Sequence, residues 1–149
     1  DAMAETIKTG DRLVVNVLKK DYKRGDIIVH KANGNTVYVK RIVGLPGEKV
    51  EIKQLKDGSS YIYINDKKLD EPYVKDIYDY PQCPTGKVDI TDNKVLKCAP
   101  ITVDKDCYYV VGDNRGQSYD SRYYGPVKKD LIKGVVSHIW YPIDRRETF

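Results

Sequence analysis

Short runs of Val, Ile and Tyr, each closed by a tight-turn signal, constrain this chain more than any other feature. Arg12–Leu18, Asp26–His30, Thr36–Val43, Lys49–Gln54, Tyr61–Ile64, Cys107–Gly112 and Gly134–Tyr141 read as strands. Asn33-Gly34-Asn35, Lys56-Asp57-Gly58-Ser59 and Asn65-Asp66 supply the turns, because Gly, Asn and Asp tolerate reversed backbone. One helix is predicted, a turn or two around Val127–Ile132 before Gly134. Residues 71–106, with Pro72, Pro81, Pro84 and Pro100, lose the alternation and read as an inserted ribbon or loop. The expected fold is mainly β, a single domain over 1–149, with a core from 1–53 and 107–145 and an insertion over about 54–106.

A chain of 149 residues has enough surface to bury a sizeable core. No apolar run outgrows pieces such as Tyr108-Tyr109-Val110-Val111, so none crosses a bilayer. The net charge of +4 is uneven: residues 1–53 hold 11 Lys/Arg against 7 Asp/Glu, and residues 54–149 hold 15 of each. That bias is too weak for a nucleic-acid stripe, and no recognition helix accompanies it, so no nucleic-acid partner is expected. Cys83, Cys98 and Cys107 lack zinc-ligand spacing, and neither a metal nor a cofactor is expected. Cys83 and Cys98 either form a disulfide outside the cytoplasm or, with Cys107, are buried thiols.

Three segments carry residues that are costly where they fall. In Val37-Tyr38-Val39-Lys40-Arg41-Ile42-Val43-Gly44-Leu45-Pro46-Gly47-Glu48, two cations interrupt an apolar strand, and period two puts Lys40 on the face of Tyr38 and Ile42. A lysine so placed either snorkels to water or loses its proton readily through desolvation. Gly112 to Gly125 is a loop dense in Asp, Asn, Arg and Ser, suited to internal ion pairs. The N-terminal Ala2-Met3-Ala4-Glu5-Thr6-Ile7 reads by composition as a frayed end. Trp140 and Tyr141 are either core residues of the last strand or part of an interfacial surface.

In order and spacing these segments resemble the bacterial type I signal peptidases, membrane-anchored serine proteases whose Ser–Lys dyad removes signal peptides from exported preproteins. Lys40 to Glu48 is similar to the family's lysine motif, Gly112 to Arg122 to its last motif, and Arg24-Gly25-Asp26-Ile27-Ile28-Val29 to the short motif between nucleophile and lysine. The resemblance covers 2–50 and 107–142 and implies a signal-peptidase type of β fold, related to that of self-cleaving Ser–Lys repressors. It also implies that Lys40 is the general base, that Ser118 hydrogen-bonds and orients it, and that Asp113 with Arg41 and Asp120 with Arg122 form supporting ion pairs. Met3, Ile7, Tyr38 and Val39 then shape shallow pockets for small residues at −1 and −3, giving Ala-x-Ala selectivity. The implied partners are preprotein signal peptides and a membrane surface, reached through a transmembrane anchor expected to precede Asp1. The implied location is the outer face of a bacterial cell membrane.

The sequence departs from the family at the nucleophile. Ala2 stands where the family has Ser, and Glu5 stands where it has Pro. Without a hydroxyl at position 2 no acyl-enzyme forms, so the chain is expected to be inactive as written. Retention of Lys40, Ser118, Asp120 and Arg122 favours a Ser→Ala change in an otherwise competent enzyme. The alternative is a non-catalytic homologue that binds secreted or pilus subunits and assists their assembly.

Overall fold

The computed structural model describes residues 1–78, 80, 89–91, 94–96 and 100–149. The strands run β1 (Arg12–Asn16), β2 (Ile27–Lys31), β3 (Val37–Gly44), β4 (Lys49–Gln54), β5 (Ser60–Ile64), β6 (Lys67–Lys68), β7 (Asp89–Thr91), β8 (Lys94–Leu96), β9 (Ile101–Thr102), β10 (Cys107–Val111), β11 (Val127–Lys128), β12 (Ile132–Tyr141) and β13 (Glu147–Thr148). All the pairings are antiparallel. The main sheet is ordered β1-β12-β2-β3-β10-β11 with β13 beside β12, a second sheet is β6-β5-β4-β9, and β7 pairs with β8.

Period two divides β3 between the faces of the main sheet. Ile42 joins Ile28, Tyr108, Val110 and Val135 on one face. Val43 meets Val50, Ile62, Val103 and Tyr109 of the second sheet on the other, and Val39 packs beside Met3, Ile27 and Val136. The sheets close over Gly44, where an added Cβ would lie 2.6 Å from Val50 and 2.8 Å from Tyr109. Residues of the expected insertion therefore build core: Ile62, Ile64 and Val103 are buried against β3 and β10.

Two local expectations are corrected. Val127–Ile132 is not an α-helix: Val127 pairs with Tyr108 as β11, a 3-10 turn covers Lys129–Leu131, and β12 begins at Ile132. The β-branched Val127 is buried and fits a pleated surface better than a helix. The α-helix among the described residues is instead Ser121–Tyr124 (α1), capped by the Asp120 side chain and ended by Gly125 at φ 82. The first strand also stops at Asn16 rather than Leu18, because the Asn16 side chain accepts from the Leu18 and Lys19 N–H groups and turns the chain.

Candidate active site

β3 delivers Lys40 opposite Ile28 of β2 and leaves the side chain 4 % exposed. Its ammonium lies 5.0 Å from the centre of the Tyr38 ring. Burial pulls the Lys40 pKa below the ordinary lysine value; the Asp120 carboxylate opposes that shift and the Arg122 charge adds to it. No hydrogen bond or ion pair fixes this amine among the described residues. A cation so desolvated costs stability. Lys40→Met is therefore expected to stabilise the fold at pH 7 by about 1–3 kcal/mol, measured by urea denaturation. Because the folded-state pKa lies below the unfolded one, the unfolded chain holds more protons between the two values, and wild-type stability rises with pH across that window. The advantage of the Met variant then shrinks toward pH 10.5.

The loop after β10 is held by two buried carboxylates. Asp120 accepts from Gly112 N at 3.0 Å and from Arg122 Nε and Nη2 at 2.8 and 2.9 Å. Burial pushes the Asp120 pKa up, but the Arg122 charge and these hydrogen bonds, with Ser118 close by, hold it below the usual carboxylate value. Arg122 Nη2 also reaches the carbonyls of Arg115 and Ser118. Asp113 takes a bidentate pair from Arg41 at 2.9 and 2.8 Å and the Thr6 hydroxyl at 2.6 Å, so it ties the N-terminal turn to β3. The short motif joins in through Arg24, whose guanidinium pairs twice with Glu48 at 2.7 Å.

The N-terminus is not frayed. Ala2 O accepts from Asn114 N at 2.8 Å, and the Met3 side chain is buried against Asp113 N. Glu5 is exposed and leaves Met3 seated. Gly112 lies between the two sides of the site: a Cβ there would overlap Ser118 Oγ and come within 2.5 Å of Ala2 O. A cleft of about 240 Å³ is lined by Ala2, Met3, Ile7, Tyr38, Val39 and Lys40, which brings together residues from the two ends of the first 40. A hollow of about 650 Å³ beside Tyr22 and Lys129 holds no comparable set of groups.

One expected contact is absent. Ser118 is buried, but its Oγ packs on Gly112 beside the Asp120 carboxylate and makes no hydrogen bond to Lys40. Trp140 and Tyr141 are 42 % and 46 % exposed, so they belong to the surface and not to the core. Cys107 is a free, buried thiol, while the alternatives for Cys83 and Cys98 lie outside the described residues.

Sequence reasoning missed a strap that backs the loop. Glu71 pairs bidentately with the fully buried Arg115, which also receives the Tyr80 hydroxyl as a partner and donates from Nε to Gly112 O at 2.8 Å. Burial pushes the Tyr80 phenol up to about 12. Tyr73 lies under the Arg41 guanidinium at 3.8 Å and donates to Glu71. Both arginines of the loop and strand are thus covered by Glu71, Tyr73 and Tyr80.

Comparison with known proteins agrees with this fold. The family described as signal peptidase, peptidase S26, matches residues 1–141. Signal peptidase IB of Staphylococcus aureus is 37% identical over 149 residues, covering 95% of this chain and 74% of the relative. Signal peptidase I of Bacillus caldolyticus is 38% identical over 147 residues, covering 95% and 75%. The crystal structure of a signal peptidase I from Enterococcus faecalis superposes with a TM-score of 0.53 at 33% identity, over 77% of this chain and 96% of that one. The fold and the motif residues define a mainly antiparallel β protein of the signal peptidase type. The chain belongs to the signal peptidase family, peptidase S26.

Proposed function

We propose that this chain is the catalytic domain of a Ser–Lys dyad signal peptidase that releases exported preproteins from their signal peptides, disabled here by Ala2. The observation that carries the reading is a buried lysine, without a polar partner among the described residues, lining one cleft with the position of the missing nucleophile.

β3 pairs with β2 from Val37 to Arg41 on one side, while β10 reaches only as far as Arg41 on the other. The opposite edge of Val37–Lys40 therefore has no strand partner among the described residues and suits an extended peptide added as a strand. Alternate peptide residues then face Val39, Met3 and Ile7. That shallow, apolar floor admits alanine and excludes larger side chains at −1 and −3, which is selection by steric fit.

With serine at position 2, the neutral Lys40 amine takes the hydroxyl proton as Oγ adds to the scissile carbonyl. The tetrahedral adduct collapses as Lys40 hands the proton to the leaving amine, which leaves an acyl-enzyme. Water, deprotonated by the same lysine, then releases the signal peptide. Asp113–Arg41 and Asp120–Arg122 act only by holding the loop, and Ser118 by packing on Gly112. Ala2 removes the first step and leaves the binding surface intact.

Trp140, Tyr141 and the 71 % exposed Ile143 are surface residues at the end of β12 and just after it, where Tyr141 pairs with Arg12 of β1 and Arg12 lies against both aromatic rings. Aromatic rings with an adjacent cation suit a lipid headgroup boundary, so this end is read as the one that meets the outer face of the membrane. No helix among the described residues is long and apolar enough to cross a membrane.

Restoring serine at position 2 tests the enzyme reading. In that background Gly112→Ala is expected to abolish cleavage of an Ala-x-Ala preprotein, because the new methyl group displaces Ser118 and the position 2 backbone together. Gel-based processing assays would show the loss.

A further inference from the structure

Tyr38 lines two hollows. One is the cleft it shares with Ala2 and Lys40; the other is a recess of about 240 Å³ that includes Tyr119, Tyr124 and His30, with Lys31 and Asn33 among its exposed residues. The rings form a box: Tyr124 stacks along Tyr38 at 6.3 Å and 20°, Tyr119 stands across Tyr38 at 6.5 Å and 90°, and Tyr119 meets Tyr124 at 5.3 Å. His30, buried, fixes Tyr124 through Nε2 to the phenol at 3.1 Å. Burial lowers the His30 pKa and favours a neutral ring in the box.

We infer that this recess is a specificity pocket for an aromatic side chain from the first two residues of the chain that the peptidase releases. The inference rests on the peptidase reading above and deepens it. Lys40 must return its proton to the leaving amine, so the first released residue lies within hydrogen-bond reach of Lys40 Nζ. That nitrogen is 5.0 Å from the Tyr38 ring centre, so the first released residue comes within reach of the Tyr38 ring, which in turn stands 6.5 Å from Tyr119. The recess thus adjoins the cleft at Tyr38, on the Tyr38 face of β3 rather than the Val39 face. A flat ring entering the recess packs face or edge against these tyrosines, a contact favourable beyond simple burial.

The chain with Ala2 binds intact substrate without cutting it, so the pocket is measured directly. Peptides sharing one Ala-x-Ala site and carrying Phe or Ala at the first or second residue after the junction, or Phe at x, are titrated by fluorescence anisotropy. Phe after the junction is expected to bind about tenfold tighter than Ala. Tyr119→Ala is expected to bring that ratio close to one, and Tyr119→Phe, which keeps the ring, to preserve it. Equal affinities, no binding, a preference only at x, or a preference that survives Tyr119→Ala overturns the pocket. Cleavage by the Ala2→Ser protein separates the two readings. Selective binding without any cleavage overturns the peptidase reading alone, and cleavage without aromatic preference overturns the pocket alone.

Discussion

Ala2→Ser is expected to raise cleavage of preproteins after Ala-x-Ala on the order of 10⁴ to 10⁶-fold in kcat, the scale on which removing a serine nucleophile acts in the reverse direction. Little else needs to move. Ala2 O is already tied to Asn114 N, Met3 is buried, and Ala2 shares its cleft with Lys40. The rate should rise with pH as Lys40 loses its proton, with a midpoint below the ordinary lysine value because burial disfavours the ammonium. Lys40→Ala in the serine background should abolish the gain. Processing of a labelled preprotein from pH 6 to 10 measures all three outcomes. A serine protein that stays silent while still binding the peptide would instead favour the non-catalytic homologue.

The parts of the site legible in the sequence are those with local signals. Lys40 stands out because a cation interrupts a period-two apolar strand, and Gly112 to Arg122 because its polar residues crowd one loop. The main-sheet strands follow from alternation and turn residues, with bounds shifted by one or two positions. Long-range pairings carry no such signal. Glu71 meets Arg115 across 44 positions, and in sequence it is one acid in a stretch of Pro, Asp and Lys. Ile62 and Ile64 alternate well, yet nothing local says that they pack on Val43 and Tyr109. Trp140 has strand periodicity around it, and only the sheet order shows which face is left uncovered. Four-residue α1 is too short for any helical period to register and depends on its Asp120 cap.

Burial decides which ion pairs matter. Glu71→Ala is expected to destabilise the fold by about 3–5 kcal/mol, lowering Tm by roughly 10 °C or more. The fully buried Arg115 would lose its bidentate carboxylate and have no water to replace it. Lys49 with Asp66 forms a comparably short contact, 2.6 Å, but both side chains are open to solvent. Asp66→Asn, which removes the charge and keeps a side chain tolerant of the left-handed backbone at φ 69, is therefore expected to leave Tm unchanged within error. Calorimetry of the two variants compares the same chemistry in two settings. The Glu71 change should also reach the site, because Arg115 Nε holds Gly112 O and Gly112 carries contacts to both Ser118 and Ala2. In the serine background, kcat should fall at temperatures where the variant is still folded. Arg115→Met added to Glu71→Ala should recover most of the stability, since no unpaired charge remains, but not the rate, since Gly112 O still lacks its donor. Recovery of both would make the strap a purely structural clamp; recovery of stability alone would mean that Glu71, through Arg115, sets the position of the loop that begins at Gly112.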